Sequence, residues 1–251
     1  MNNTKRILAL VLSLVMVLGL LSACGEETEE PPLRVSMPEG ITTLDPAFIE
    51  TETEKIVVTH LYENLIKVTG ADENGVAQTG NGLIRSYQCE DELEGGQTYT
   101  FHLRDDVVWS DGRAVTANDF VYAWRRLVDP GTKSPNAAML NMVAGYNKVR
   151  KTGETRRLGV KALDDETLEV KLSHRCPYFV TEVCASPVTM PVRRDVVKEK
   201  NWSMDPEKLV VNGAYSHITG WSEDGFTAAA DEDYYDAKRL GPQDMTEDIM
   251  N

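Results

Sequence analysis

The stretch that decides the fold of this chain runs from Tyr99 to Pro130 and reads YTFHLRDDVVWSDGRAVTANDFVYAWRRLVDP. Its first residues alternate between apolar and polar side chains, and the apolar ones are Tyr99, Phe101 and Leu103. Successive side chains of a strand point to opposite faces, so this period of two is typical of a strand with one buried face. The stretch therefore begins with a strand whose apolar face belongs to a core.

A tight turn and a helix start follow this strand. A second short strand is predicted over residues 107–109. After it, the pair Asp111-Gly112 predicts a turn, because glycine accepts a positive φ at little steric cost. Thr116 precedes Asp119 by three residues, a spacing typical of the capping box that satisfies the first backbone N–H groups of a helix.

The helix that begins there is amphipathic. Its apolar residues recur at helical spacing and are Phe120, Val121, Trp124, Leu127 and Val128. The helix is predicted to end at Asp129-Pro130, because proline disfavours the α conformation in the residue before it. Trp124 lies on the apolar stripe and Trp109 ends a strand, so core packing is favoured for both over an aromatic ligand cage.

This strand, turn and helix resemble the signature of the extracytoplasmic solute-binding proteins of oligopeptide and dipeptide ABC transporters (family 5). The resemblance covers residues 33–236, where further motifs follow the family's order and approximate spacing: Leu44-Asp45-Pro46, DPGTKSP at 129–135, LGVKALDDETLEV at 158–170, Pro177-Tyr178-Phe179 and VNGAY at 211–215. Several motifs in this order make the resemblance specific, although each motif alone would be weak.

The resemblance implies an α/β, periplasmic-binding-protein-like two-lobe fold in which the lobes close over a ligand. Members of the family are much longer than this chain. We therefore expect residues 33–251 to be the N-terminal part of the solute-binding domain, namely the first lobe with its inserted subdomain, incomplete and truncated so that the second lobe is missing. A fragment of a longer gene and a naturally truncated product are both compatible with this expectation.

For function, the resemblance implies the substrate-binding protein of an ABC importer. Such a protein captures oligopeptides or dipeptides outside the cell membrane and delivers them to the permease subunits. Neither catalysis nor a cofactor is implied. The same fold also binds other solutes, such as a nickel complex, haem or an oligosaccharide, and a truncated surface fragment that binds no ligand is a third interpretation.

The resemblance also indicates five ligand-binding residues. It aligns Glu50, Thr51 and Glu52 with a loop that meets the backbone of the bound peptide. Asn136 occupies a position where peptide binders often have a tyrosine, and its amide offers hydrogen bonds but no aromatic plane. Ala185 aligns with another position that lines the pocket. The alternative interpretation of each is an ordinary residue of a surface loop.

The N-terminus has the pattern of an export signal. Two basic residues precede an apolar run over residues 7–21, which is short for a membrane span. The sequence LSAC at 21–24 is the lipobox pattern of bacterial lipoproteins. We therefore expect a signal peptide over 1–23, lipidation of Cys24 and an acidic tether over 24–32, which would hold the protein outside the cytoplasm on the bacterial cell membrane. A plain secreted protein is the alternative.

Charge and residue usage argue against other classes. The chain has 26 lysines and arginines against 40 aspartates and glutamates, a net charge of −14, and nucleic-acid binding needs clustered cations. Nucleophile, zinc and phosphate-loop motifs are absent from the sequence, so neither an enzyme nor a metal site is predicted. Cys176 and Cys184 could form a disulfide in an exported protein, and two reduced, partly buried thiols are at least as well favoured.

The remaining elements are predicted from periodicity. Alternation predicts strands at 33–37 and 168–172, and helical spacing predicts helices over 54–66 and around 136–148. Glycines punctuate residues 64–88, which are therefore predicted to be rich in loops.

Overall fold

The computed structural model describes residues 33–37, 39–91, 95–222, 225–240 and 244–249 of the chain. Within these ranges the strands, in chain order, are β1 (Leu33–Met37), β2 (Ile66–Ala71), β3 (Ala77–Asn81), β4 (Ile84–Asp91), β5 (Gln97–Leu103), β6 (Val160–Ala162), β7 (Thr167–Leu172), β8 (His217–Ser222), β9 (Gly225–Ala229) and β10 (Asp244–Ile249). The α-helices are α1 (Glu52–Leu61), α2 (Ala117–Val128) and α3 (Tyr146–Thr152). Short 3-10 and π-helical turns connect them.

The strands form three sheets in the described part of the chain. One has the order β4-β5-β7-β6, and all of its neighbouring strands are antiparallel. A second has the order β1-β10-β9-β8, in which β1 and β10 are parallel and the other pairs are antiparallel. The hairpin of β2 and β3 is the third. Helices and strands are thus mixed as the predicted α/β class requires.

Strand β5 and helix α2 form the core of the first sheet, as the opening stretch predicts. Phe101 and Leu103 are fully buried and Tyr99 is 6% exposed. Phe179 lies between the two elements, with its ring centroid 5.0 Å from that of Tyr99 and 6.3 Å, edge to face, from that of Trp124. Aromatic pairs at these separations add to the stability that burial alone provides.

The predicted turn and cap are confirmed, whereas the short strand before them is not. Gly112 has a φ of +81°, and the Asp119 carboxylate accepts a hydrogen bond from the Thr116 N–H at 2.9 Å. Residues 107–109 make a single β-bridge, between Val108 and Ala114, instead of a strand. The tryptophans at 109 and 124 are 1% and 0% exposed, which confirms that they pack in the core.

The loop-rich prediction for residues 64–88 is wrong. Most of this stretch belongs to β2, β3 and β4, and the predicted helix over 54–66 ends five residues earlier, at Leu61. Most side chains of β2 and β3 are exposed on both faces, so these strands lack the apolar alternation that identifies a strand in sequence.

The predicted helix around 136–148 is also wrong. The structure has a 3-10 turn at Ala137–Leu140, and helix α3 follows only after Gly145. Val143 pairs with Leu172 at the sheet edge, and Gly145 has a φ of +82°, so the chain leaves the helical conformation between the two pieces. Side chains are excluded at Gly145, because a Cβ atom there would lie 2.0 Å from the Arg157 carbonyl oxygen.

The remaining sequence interpretations concern membrane spans, the N-terminal signal and the cysteines. None of the helices in the described ranges is long and apolar enough to cross a membrane. The predicted signal peptide over 1–23, Cys24 and the tether over 24–32 lie outside the described residues. Cys176 and Cys184 are buried free thiols, so the structure has the reduced alternative and not the disulfide. Burial raises the pKa of the Cys184 thiol.

Candidate functional site

The loop over residues 44–52, which leads into the first residue of α1, contains three of the five predicted ligand-binding residues. The Glu54 carboxylate, in the first turn of α1, bonds to the backbone near the end of this loop and to the backbone just before it. One of its oxygens accepts from the Thr42 N–H at 3.0 Å, and the other accepts from the N–H groups of Glu50 at 2.9 Å and Thr51 at 3.2 Å. One side chain therefore ties these two parts of the backbone to the start of the helix.

Glu54 remains charged although it is only 1% exposed. Burial by itself would raise the pKa of its carboxyl group, but hydrogen bonds from Thr42, Glu50 and Thr51 outweigh this effect, and the pKa is lowered. The Thr51 hydroxyl accepts from the Glu54 N–H at 3.1 Å, which completes a capping box.

A buried ion pair holds the same loop against helix α2. The Asp45 carboxylate accepts two hydrogen bonds from the Arg126 guanidinium, one of them at 2.8 Å, and the two side chains are 5% and 14% exposed. Asp45 also accepts from the Ala47 N–H at 3.1 Å. Burial alone would lower the pKa of Arg126, but its hydrogen bonds to Asp45 outweigh this effect, and the pKa is raised.

Asn136 is the fourth predicted residue, and the structure brings it to this loop. Its half-buried amide donates a hydrogen bond to the Ile49 carbonyl oxygen at 2.7 Å, directly before Glu50. Ser134 donates to the Ala47 carbonyl oxygen at 2.5 Å. The position where peptide binders often have a tyrosine is thus occupied by a group that orders the loop.

The predicted ligand-binding residues differ in how exposed their side chains are and in what they contact. Glu50 is exposed, and Glu52 is exposed and pairs with Lys55 at 2.7 Å. Ala185 belongs to another group of contacts, because its neighbours Cys184 and Ser186 accept hydrogen bonds through their carbonyl oxygens from residues at the start of β2. Glu50, Thr51, Glu52 and Asn136 therefore form one site, and Ala185 lies half-buried beside β2.

A second buried polar group lies beside β2. The Glu63 carboxylate accepts hydrogen bonds from the hydroxyls of Tyr234 and Tyr235, and burial raises the pKa of Glu63 despite them. Lys67 pairs with Asp236 at 3.1 Å and lies 4.9 Å from the centroid of the Tyr235 ring. This group joins the segment around Tyr234 to the start of the β2–β3 hairpin and stabilises that junction.

The loop is ordered by buried side chains and leaves part of its surface exposed. Its buried charges are all used to hold its backbone, while the Glu50 carboxylate remains exposed. A surface that is ordered in advance loses less conformational entropy when a ligand binds. In the described ranges, no three histidine, cysteine or acidic side chains are grouped so that they could hold a metal ion.

Comparison with known proteins assigns the family. A sequence profile described as "Bacterial extracellular solute-binding proteins, family 5 Middle" matches residues 80–243. The chain belongs to this family. The matched region contains the stretch from Tyr99 to Pro130, so the resemblance inferred from the motifs is confirmed.

Individual relatives agree with the assignment. The chain is 38% identical over 201 residues to an Escherichia coli protein named "Probable deoxycholate-binding periplasmic protein YgiS", covering 78% of this chain and 36% of that one. It is 39% identical over 181 residues to the periplasmic oligopeptide-binding protein OppA of E. coli, covering 70% and 31%. The structure matches OppA of Burkholderia pseudomallei with a TM-score of 0.78 at 30% identity, covering 89% and 42%.

These matches confirm the periplasmic-binding-protein fold and define how much of it the chain contains. The chain spans between about a third and two fifths of the length of these relatives. It is therefore a mixed α/β part of the fold of family 5.

Sequence reasoning did not identify the residues that order the loop. Thr51 and Glu54 have the T-x-x-E spacing of a capping box, which would have indicated the helix start and its buried carboxylate. Asp45 and Arg126 are 81 residues apart and have no local pattern that relates them.

Proposed function

We propose that this chain is part of the substrate-binding protein of an ABC importer, which captures short peptides outside the cell membrane and delivers them to permease subunits. The relatives are solute-binding proteins, and one is named for oligopeptide binding. No catalytic role is proposed. Ligand capture would follow from closure of two lobes, because a ligand that contacts both lobes favours the closed state.

One observation supports this function most strongly: the 44–52 loop is ordered by groups from three parts of the chain. Glu54, Arg126 and Asn136 all bond to it, and none of these bonds uses the Glu50 carboxylate. In the proposal the backbone at Glu50–Glu52 meets the extended backbone of the peptide, in the manner of an added strand. Ala185 would line a neighbouring side-chain pocket.

We also propose that the protein is exported and anchored by a lipid on Cys24, with residues 24–32 as the tether and residues 33–251 as part of the solute-binding domain. The export and lipobox patterns at the N-terminus support this arrangement. Labelling of cells with a radioactive fatty acid, followed by recovery of the protein, tests it. The Cys24→Ser variant should lose the label.

A second solute class has one observation in its favour. A relative with 38% identity carries the name of a deoxycholate-binding protein. Asn136 offers an amide where peptide binders often have an aromatic side chain, so the contacts at this position differ from those of a tyrosine. Deoxycholate is therefore tested beside the peptides in the binding assay.

The test is calorimetric titration of the gene product, including any residues that follow Asn251. The ligands are trialanine, trilysine, deoxycholate, a nickel–histidine complex, haem and maltotriose. We expect saturable binding of the tripeptides alone. A native-state ligand also raises thermal stability, by about 2.7 kcal/mol at a hundred times its Kd, so a thermal shift checks the titration. Absence of peptide binding at millimolar concentration would contradict the proposal, and binding of deoxycholate instead would support the second class.

A matched pair of variants connects binding to the loop. Asn136→Ala removes the bond to the Ile49 carbonyl oxygen, and we expect about fivefold weaker peptide binding, the equivalent of one hydrogen bond. Asn141→Ala changes an exposed asparagine five residues further on, and its affinity should stay within about twofold.

A further inference from the structure

A cavity of about 670 Å³ lies beside helix α2 and is lined by four arginines: Arg125, Arg126, Arg156 and Arg194. This is an unusual concentration of positive charge in a chain whose net charge is −14. The hydroxyl-bearing side chains of Tyr122, Thr132 and Thr155 line the same cavity and add hydrogen-bond donors.

The acids that line the cavity form no ion pair with these arginines in the described part of the chain. Asp119 accepts from the backbone and hydroxyl of Thr116 at the start of α2. Asp129 accepts from the Gly131 N–H at 2.8 Å, after the end of the helix. Among the four arginines, Arg126 has a carboxylate partner in Asp45, which lies in the 44–52 loop.

Arg125 is the most constrained of the other three. Its guanidinium donates to the Val160 carbonyl oxygen at 3.0 Å, and its Nε is buried without a hydrogen-bond partner in the described structure. Burial, and then the positive charge of Arg156, lower the pKa of Arg125. Both guanidiniums line the same cavity, so their like charges repel one another there.

Arg156 and Arg194 are exposed, and across the described ranges neither makes an ion pair. Arg157, next to Arg156, differs because it pairs with Glu154 at 2.9 Å. Arg125 comes from helix α2, Arg156 from the 3-10 turn at Thr155–Arg157, and Arg194 from the loop between the 3-10 turns at Pro187–Thr189 and Val196–Lys198. Three separate segments therefore bring positive charge to one cavity.

A second cavity, of about 520 Å³, extends this positive surface. It shares Asp119 and Arg194 with the first cavity and adds Arg113, Arg193, Asp195 and Lys198. Arg113 and Arg193 both pair with Asp111 and Asp195, whereas Lys198 makes no ion pair in the part of the chain that the structure describes. Arg194 and Lys198 are therefore cations of this cavity without an acidic partner among the described residues, and their charge favours the approach of an anion.

We infer that the cavity beside α2 binds a phosphate group, held by Arg125, Arg156 and Arg194. A phosphate group presents several anionic oxygens in a tetrahedral arrangement, so it can accept hydrogen bonds from three guanidiniums at once, whereas a carboxylate has two oxygens. Its charge would remove the repulsion between Arg125 and Arg156. The inference is independent of peptide capture, since none of these three arginines is among the residues proposed to bind the peptide.

Free inorganic phosphate and the headgroup of an anionic phospholipid present this same chemistry. Two assays on the full chain distinguish them. The first titrates sodium phosphate at constant ionic strength, with sodium chloride as the reference, and follows amide shifts by NMR. The second measures co-sedimentation with vesicles of phosphatidylglycerol and with vesicles of phosphatidylcholine.

The matched variants are Arg156→Gln and Arg157→Gln. Both arginines are exposed and lie in the same turn, and each substitution removes one positive charge. Circular dichroism checks that both are folded. We expect Arg156→Gln to weaken phosphate or phosphatidylglycerol binding by about tenfold or more, the usual effect of a lost charge-assisted hydrogen bond. Arg157→Gln should change it by less than about twofold.

Each outcome bears on the inference. Saturable phosphate binding that depends on Arg156 supports a site for free phosphate. Binding to phosphatidylglycerol vesicles alone, with the same dependence, supports a lipid headgroup. No binding in either assay, or an equal effect of the two variants, overturns the inference. None of these results changes the expected peptide binding, so failure of one proposal is distinguishable from failure of the other.

Discussion

The 44–52 loop and the cavity beside α2 both use charged side chains of helix α2, but they differ in where the opposite charge comes from. In the loop, Arg126 is neutralised within the chain by Asp45. In the cavity, Arg125, the preceding residue, faces the positive charge of Arg156 and bonds to a carbonyl oxygen. Neighbouring arginines thus have different roles: one completes the structure, and the other is suited to an external anion.

The largest effect should come from breaking the charge balance of the loop. Asp45→Ala leaves the Arg126 guanidinium buried without its carboxylate, and we expect a loss of about 3–5 kcal/mol in the free energy of unfolding. Urea denaturation followed by circular dichroism measures it. As a control, Asp105→Ala removes an exposed partner of Arg85 and should cost less than about 1 kcal/mol.

A double variant shows whether the stability lost in Asp45→Ala comes from the unpaired charge of Arg126. Replacing both partners, as Asp45→Ala with Arg126→Met, removes the buried charge and should recover a substantial part of the lost stability. Equal stability of the single and double variants would contradict this explanation.

The second effect is the pH dependence that Glu54 contributes. Its pKa in the folded protein lies below the ordinary value of 4.5, so its contribution is fully present above that value and is lost as the pH falls through the folded pKa. Glu54→Gln should lose about 2–3 kcal/mol at pH 7, because an amide cannot accept all the bonds of the carboxylate. Unfolding curves between pH 3 and 7 measure the free energy of unfolding of the wild type and of Glu54→Gln.

The difference between wild type and Glu54→Gln should shrink toward pH 3. A constant difference across this range would show that the charge of Glu54 is not responsible. The exposed neighbour Glu52 serves as the control, and Glu52→Gln should stay within about 0.5 kcal/mol of wild type at pH 7.

The third effect is local. Asn136→Ala removes the side-chain bond to the Ile49 carbonyl oxygen and should cost about 1 kcal/mol of stability. The amides of residues 49–51 should then exchange with solvent faster, which hydrogen exchange with mass spectrometry detects. Unchanged exchange there would mean that Glu54 alone orders the loop.

The smallest effect on stability is expected at the cavity beside α2. Without a bound anion, Arg156→Gln relieves the repulsion of Arg125 and should raise stability by up to about 0.5 kcal/mol at low salt. Added phosphate should reverse the order, because wild type would gain stability from binding and the variant would not. Thermal unfolding in chloride and in phosphate buffer measures this, and the same order in both buffers would contradict it.

The fold was predictable where the local pattern is strong. Strand β5 alternates regularly, and α2 has a cap, an apolar stripe and a terminating proline, so each element is specified by its own residues. The hairpin of β2 and β3 was not predictable, because most of its side chains lie in solvent and need not be apolar. The helix expected around 136–148 failed since tertiary pairing at Val143 overrides local propensity.

The site was predictable only in part. The motif order indicated Glu50, Thr51, Glu52 and Asn136, and the structure places these four together. The interactions that order them were not accessible, because Asp45 and Arg126 meet only after the chain has folded. Arg125, Arg156 and Arg194 come from separate segments in the same way, and only the structure shows that none of the three makes an ion pair among the described residues.

A hydrogen-exchange map of the gene product, recorded with trialanine, with phosphate and with neither, shows where each ligand binds. We expect trialanine to protect the backbone amides at Glu50–Glu52 and to leave those at Arg156 and its neighbours unchanged, whereas phosphate should do the reverse. Absence of protection at Glu50–Glu52 with saturating peptide would contradict the assignment of this loop as the ligand-binding surface.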